Sequence, residues 1–126
     1  CIIVATRFTT ANAYHQLSKL DRSQWDSFHD WLYDTEFDKL GLPRPDTVVL
    51  LSMDTAISSE HVEERSHETG QKMDIHELDA DYLRRCAAAA AYAAKRDGWK
   101  VVECAPNGKL LPKEEIFEKI LSVLEL

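Results

Sequence analysis

The sequence predicts an α/β protein built around a parallel sheet. Three short apolar runs, residues 1–5, 47–51 and 100–104, have the length and continuous hydrophobicity of strands buried on both faces. Segments in which apolar residues recur at helical spacing separate these runs. Because strands alternate with helices, we expect three parallel strands with flanking helices, in one domain over residues 1–126.

The first half of the chain contains two predicted helices. Residues 9–12 include good helix-start residues, and the first helix is expected to continue through Leu17. In the second helix, apolar residues follow one another at spacings of three and four from Trp25 to Leu32. This helix should end near Gly41, because two prolines within the next four residues prevent its continuation.

The middle of the chain contains a short helix, a loop and a long helix. Asp54 can cap a helix that ends near Glu64, and residues 65–74 lack periodicity and are predicted to form a loop. A long helix follows from about Glu77. It should end at Gly98, because glycine is favoured at the residue that follows a helix. The following residues form its apolar stripe: Leu78, Tyr82, Cys86, Ala89 and Ala93.

The last element is a helix that Pro112 opens. Residues 105–108 are turn formers and separate the third strand from this helix. Ile116, Ile120 and Leu124 recur every four residues, so we expect them to face the core.

Composition excludes several classes of function. The net charge is −7 and the pI is near 5.2, which argues against a protein that holds nucleic acid by neutralising phosphates. No apolar run approaches the roughly 18 residues of a membrane span, and no secretory signal is visible. Cys1, Cys86 and Cys104 form no CxxC pair, so we expect reduced thiols and a cytoplasmic location.

Several nucleotide and metal motifs are absent from the sequence. None of the four glycines lies in a GxxxxGK[ST] or GxGxxG pattern, so the chain carries no phosphate-binding glycine loop. The five histidines and three cysteines lack the spacing of a zinc site. We therefore predict no metal ligands among these residues.

A polar cluster follows the first predicted strand, at the end of the strand where open parallel sheets bind ligands. Arg7 could hold a phosphate through two parallel hydrogen bonds, and Asn12 offers a donor and an acceptor to a base edge. His15 and Gln16 lie about one helical turn after Asn12 and share its side of the helix. From spacing alone, a helix cap and a salt bridge explain the same residues, and this alternative stays open.

Four segments resemble thymidylate kinases, in the order in which they occur in that family. Residues 2–12 (IIVATRFTTAN), followed by His15 and Gln16, resemble the Asp-Arg-Tyr segment. Residues 31–46 (WLYDTEFDKLGLPRPD) resemble the junction between a helix and a strand, and this stretch is the most specific. Residues 74–77 (DIHE) and 97–99 (DGW) continue the resemblance. It covers essentially the whole chain.

The resemblance implies a P-loop-kinase-type fold, of which this chain would be the C-terminal portion without the P-loop half. The implied reaction transfers the γ-phosphate of ATP to dTMP, giving dTDP, with Mg²⁺. Arg7 would contact phosphate as the catalytic residue, Asn12 would read the thymine, and His15 with Gln16 would lie near the deoxyribose. A lid at about residues 65–76 would close over ATP. Its basic members would be Arg65 and Lys72, Asn107 would border the adenine, and the protein would be a homodimer.

Two departures from the family pattern leave a second hypothesis open. Thr6 stands where the family has an aspartate, and Ser52 stands where a carboxylate is common at the end of the next strand. The first hypothesis is a true kinase whose other half lies outside this chain, in which case the chain alone is inactive. The second is a degenerate copy that binds a nucleotide or a partner without catalysis.

Overall fold

The computed structural model describes residues 1–70 and 80–125. Seven regular elements occur in these ranges: α1 (Thr10–Leu17), α2 (Trp25–Tyr33), β1 (Val49–Ser52), α3 (Thr55–Thr69), α4 (Ala80–Asp97), β2 (Lys100–Glu103) and α5 (Lys113–Val123). Turns of 3-10 helix, Arg22–Gln24 and Pro106–Gly108, lie before α2 and after β2, and a π-helical stretch, Asp34–Lys39, follows α2. The α/β class is confirmed.

The sheet consists of β1 and β2, which run parallel. Val49 lies opposite Lys100, and Ser52 lies opposite Glu103. The two strands match the second and third predicted runs to within two residues at each end. Val102 is buried, whereas Leu51 and Val101 are more than half exposed, so the helices cover the sheet only partly.

The prediction of a first strand is wrong. Residues 1–5 form no helix or strand, and the Ile2 and Ile3 side chains are 71% and 87% exposed. A buried strand requires a neighbour that pairs with its backbone amides and carbonyls. β1 and β2 pair with each other, and no strand in the described ranges pairs with residues 1–5. The sheet therefore has two strands there rather than three.

The core lies between α1, α2 and α4. Ala13 on α1, Leu32 on α2 and Ala93 on α4 form one buried cluster, and Leu17, Trp25 and Ala89 form the other. Because alanine is small, α4 can approach both neighbouring helices closely. The predicted stripe of α4 is confirmed at Tyr82, Cys86, Ala89 and Ala93, which are all buried. Leu78 lies outside the described residues.

Asp97 ties α2 to the end of α4. Its Oδ2 accepts a hydrogen bond from the Tyr33 hydroxyl at 2.7 Å and lies 2.8 Å from Nε2 of His29, which is buried. Nearby, Arg96 forms ion pairs with Asp26 and Asp30 of α2. Gly98 follows with φ +69°, so the chain leaves α4 there and enters β2 two residues later, as the sequence predicted.

Two other predicted segments differ in the structure. Residues 65–69 were expected in a loop but continue α3, which ends only where Gly70 adopts φ +69°. Neither glycine nor proline occurs between Glu64 and Gly70, so no residue there forces the helix to end. The helix from Pro112 is confirmed as α5, but its expected core stripe is only half-buried, because α5 packs mainly on β2.

Candidate functional site

A hollow of about 490 Å³ lies at the amino-terminal end of α1. Three of the four residues predicted to bind substrate border it, namely Arg7, Asn12 and His15. Gln16 lies on α1 and is exposed, but it does not border the hollow. The full lining is Arg7, Phe8, Thr9, Ala11, Asn12 and His15.

Arg7 lies in the turn between residues 1–5 and α1. Its φ is +55°, a left-handed conformation that costs a residue with a side chain roughly 1–2 kcal/mol. The turn is fixed by a hydrogen bond of 2.9 Å from the Ala11 amide to the Phe8 carbonyl. The Arg7 side chain is exposed, so its charge is available at the mouth of the hollow.

The charge of Arg7 acts on α1. Burial raises the pKa of Tyr14, and the positive charge of Arg7 opposes part of that rise. Within residues 1–70 and 80–125, Arg7 makes no ion pair with a carboxylate. Among the described residues, therefore, no salt bridge explains the presence of Arg7 in the polar cluster.

The side chain of Asn12 is hydrogen-bonded to a buried carboxylate. Its Nδ2 donates a hydrogen bond of 3.1 Å to Oε1 of Glu36, which belongs to the π-helical stretch and is only 7% exposed. In the described part of the chain, two buried oxygens have no hydrogen-bond partner, Glu36 Oε2 and Thr9 Oγ1. The Thr9 hydroxyl therefore does not cap α1, and Thr9 borders the hollow.

Sequence reasoning missed Glu36, although a signal was present. Trp25, His29, Leu32 and Glu36 are spaced four, three and four residues apart, and all four are buried. A carboxylate on the apolar stripe of a helix is unusual, because burial of a charge is costly without partners. π-Helical stretches are also frequent at functional sites.

His15 connects the hollow to α4. Its Nδ1 lies 3.3 Å from the Tyr82 hydroxyl and 4.0 Å from Sγ of Cys86. Burial raises the pKa of Tyr82, and hydrogen bonding with Cys86 adds to that rise. The imidazole is thereby fixed between α1 and α4, with its ring against Tyr14 at 4.5 Å between centroids.

The residues predicted on the ATP side do not border this hollow. Arg65 lies in α3 and is exposed, and Asn107 lies in the 3-10 turn after β2 with φ +59°. Lys72, and the predicted lid beyond Gly70, fall outside the described residues. The part of the lid that is described, residues 65–69, is helical.

The hollow is lined by residues of α1 and of the turn before it, and none of them belongs to β1 or β2. Thr10, between two residues of the lining, borders a second hollow of about 270 Å³. That hollow also contains Val48 and Lys100, which stand at the amino-terminal ends of β1 and β2.

The described residues contain no cluster of metal-ligating side chains. Among them, no group of three or more aspartate, glutamate, histidine or cysteine side chains could hold a metal ion. Thr6 and Ser52 offer hydroxyls where the resemblance would have carboxylates, the ligands that Mg²⁺ prefers.

No helix in the described ranges is both long and apolar enough to cross a membrane.

Comparison with known proteins finds similarity to thymidylate kinases. No protein-family model matches the chain, and no solved structure does. Two curated proteins named thymidylate kinase, from Mycobacterium tuberculosis strains CDC 1551 / Oshkosh and ATCC 25618 / H37Rv, are each 29% identical over 99 residues. The matched region is 78% of this chain but 46% of each relative, so the chain spans about half the length of the relatives it matches. Over most of its length, then, the chain is distantly similar to half of a thymidylate kinase.

Proposed function

We propose that this chain is the acceptor-binding part of a nucleoside monophosphate kinase that transfers the γ-phosphate of ATP to dTMP. The observation that carries the proposal is that Arg7, Asn12 and His15 border one hollow. The hollow is within the size range of small-molecule sites, roughly 300–1,000 Å³. The distant similarity to two thymidylate kinases points to the same reaction.

Each side chain has chemistry that suits one part of dTMP. The Arg7 guanidinium would bind the phosphate through two parallel hydrogen bonds, and the amide of Asn12 would bind the edge of the thymine. His15 would lie against the deoxyribose, and Gln16 would contribute from the adjacent position. The Arg7 side chain is exposed and borders the hollow, so its guanidinium is accessible to an anionic ligand.

The donor side of the reaction is the part of the proposal that this chain supports least. Phosphoryl transfer depends on positioning and on neutralising the charge of the phosphates, so basic residues near ATP are required. Arg65, Lys72 and Asn107 are the proposed contributors, together with residues outside this chain. Since the sequence contains no GxxxxGK[ST] loop to hold the ATP phosphates, we expect no turnover from the chain alone. The homodimer that the resemblance implies belongs to the same proposal.

Isothermal titration calorimetry with dTMP tests the acceptor site. The chain is expected to bind dTMP, and Arg7→Ala should weaken binding about tenfold or more, because a charged hydrogen-bond partner is lost. Arg84→Ala is the matched control, since Arg84 lies exposed on α4 and pairs only loosely with Asp81 at 3.5 Å. Equal binding by Arg7→Ala and the unaltered chain, or no binding by either, would overturn the proposed site.

The alternative is a protein that binds the nucleotide without catalysis. Thr6 and Ser52 favour it, because hydroxyls replace two carboxylates that the resemblance places near the phosphates. A coupled assay of ADP release, run on the product of the complete gene with ATP and dTMP, separates the two functions. Turnover that depends on dTMP supports the kinase. Binding without turnover, even after Thr6→Asp, supports the alternative.

A further inference from the structure

The carboxylate of Glu36 has fewer partners than its burial requires. One oxygen, Oε1, accepts the hydrogen bond from Nδ2 of Asn12 at 3.1 Å, and the other oxygen has no partner within the described residues. None of the ion pairs in that part of the chain includes Glu36. Stability alone does not explain this residue, because an apolar side chain would suit the stripe of Trp25, His29 and Leu32 better.

The chemistry of the two groups gives Glu36 a specific effect on Asn12. An ionised carboxylate only accepts hydrogen bonds, whereas an amide carries donors on one branch and an acceptor on the other. Rotation of the amide by half a turn would bring Oδ1 toward Glu36 and set two acceptors against each other. Glu36 therefore favours one of the two orientations of the Asn12 amide.

The favoured orientation determines what Asn12 offers to the hollow. With one N–H of Nδ2 held by Glu36, the remaining hydrogen-bonding groups are Oδ1 and the second N–H. An amide that rotated freely would suit a ligand edge and its donor–acceptor reverse equally well. A fixed amide discriminates between them, because a mismatched pair leaves a polar group without a partner.

We propose that Glu36 is a positioning residue that holds the Asn12 amide in one orientation, so that the hollow distinguishes pyrimidine bases by their donor–acceptor pattern. The proposal rests on the function proposed above for the choice of dTMP as ligand. The relevant comparison is with dCMP. Thymine presents an N–H and two carbonyls along the edge where cytosine presents a ring nitrogen acceptor and an amino group.

The first test measures the Asn12 amide in the absence of ligand. In the ¹⁵N-labelled chain, the side-chain NH₂ signals of Asn12 are assigned by their loss in Asn12→Ser. One of the two protons is expected to exchange with water more slowly than the other, because Glu36 holds it. In Glu36→Leu both should exchange at the rate of an exposed amide. Equal exchange in the unaltered chain, or no change in Glu36→Leu, would overturn the positioning role.

The second test measures binding of dTMP and dCMP by calorimetry. Glu36→Leu should weaken dTMP binding about tenfold and lower the ratio of dTMP to dCMP affinity by a similar factor. Glu36→Gln, which has nearly the same shape, can donate as well as accept a hydrogen bond, so it tolerates both orientations of the Asn12 amide and should also lower the ratio. Glu118→Gln, at an exposed position on α5, is the matched control and should change nothing.

The outcomes separate this proposal from the proposed function. Equal loss of dTMP and dCMP affinity in Glu36→Leu would indicate a merely structural role and overturn the proposal. Failure of the unaltered chain to bind dTMP would overturn the proposed function and the assignment of the base, while the exchange of the Asn12 amide still decides the positioning role. If Glu36→Leu does not fold, as judged by circular dichroism, Glu36→Gln carries both tests, and an unchanged Asn12 signal with an unchanged ratio in Glu36→Gln would overturn the proposal.

Discussion

Arg7 combines a left-handed backbone with the charge that we propose for phosphate binding. Glycine adopts a φ of +55° without steric cost, whereas the Cβ of arginine makes this conformation unfavourable. Strain of this kind is frequent where a side chain must be presented to a ligand. The backbone strain at Arg7 lowers the stability of the chain, whereas its guanidinium is proposed to strengthen phosphate binding.

Replacing Arg7 separates these two demands. Arg7→Gly should raise the free energy of unfolding by about 1 kcal/mol relative to Arg7→Ala, because only glycine relieves the positive φ. Both variants should lose dTMP binding to the same extent, since both lack the guanidinium. Urea unfolding and calorimetry measure the two effects. Equal stability of the two variants would show that position 7 carries no backbone strain.

Burial and hydrogen bonding at Tyr33 have a consequence for stability at alkaline pH. Burial raises the pKa of Tyr33 above its ordinary value of 10.0, and the hydrogen bond to Asp97 raises it further. The unfolded chain then releases the phenol proton at a lower pH than the folded chain does. The stabilisation is complete below pH 10.0 and is lost as the pH rises above it.

Tyr33→Phe tests that link. The free energy of unfolding of the unaltered chain should fall between pH about 9 and about 12, and the fall should be shallower in Tyr33→Phe by up to about 1.4 kcal/mol per pH unit, the value for one proton. At neutral pH the variant should be about 1 kcal/mol less stable, because it lacks one hydrogen bond. Urea midpoints across this pH range supply both measurements, and parallel pH profiles for the two proteins would contradict the expectation.

At the scale of elements, the helices are predicted well because their signals are local. The spacing of Tyr82, Cys86, Ala89 and Ala93 predicts the buried side of α4, and Gly98 marks its end. Spacing does not show which helices meet, since the α5 stripe has the same spacing and is only half-buried. The predicted end of α3 is too early because the polar residues 65–69 lack helical periodicity, yet they contain no glycine or proline and the helix continues to Thr69.

The contact of α4 with α1 and α2 depends on alanine. Ala93 is fully buried against Ala13 and Leu32, so Ala93→Leu should destabilise the chain by about 1–3 kcal/mol through overpacking. Ala91 lies on the exposed side of the same helix, so Ala91→Leu should change stability by less than about 0.5 kcal/mol. Urea unfolding of the pair isolates packing from helix propensity. Equal effects at both positions would mean that α4 does not pack on this side.

At the scale of the whole molecule, what the sequence could not predict is pairing between distant segments. Residues 1–5 have the composition of a buried strand, but a strand forms only where another strand accepts its hydrogen bonds. Composition shows that a segment is apolar enough for a buried strand, but it does not show whether another strand is there to pair with it. The candidate site divides in the same way: local sequence indicates Arg7, Asn12 and His15 as candidates, whereas it gives no link between Asn12 and Glu36, 24 positions away.

The exposed segment at residues 1–5 should affect association rather than stability. Ile3→Lys is expected to leave the free energy of unfolding unchanged, within about 0.5 kcal/mol, because the side chain is 87% exposed. It should reduce self-association in sedimentation velocity, since exposed apolar runs promote contacts between molecules. Leu17→Ala, at a fully buried position, is the contrasting variant and should cost about 2–5 kcal/mol. A large loss of stability in Ile3→Lys would show that this segment packs.

The π-helical stretch Asp34–Lys39 lies where a difference in chain length would change the side chain behind the hollow. Glu36 lies four residues after Leu32 and comes directly before Phe37. Deletion of one residue between Leu32 and Glu36 would bring Phe37 to that position and put a phenyl ring where the carboxylate now stands. Relatives of this chain are therefore best compared by counting residues between Leu32 and Gly41 before their side chains are matched, because an insertion or deletion there changes the site as much as a substitution does.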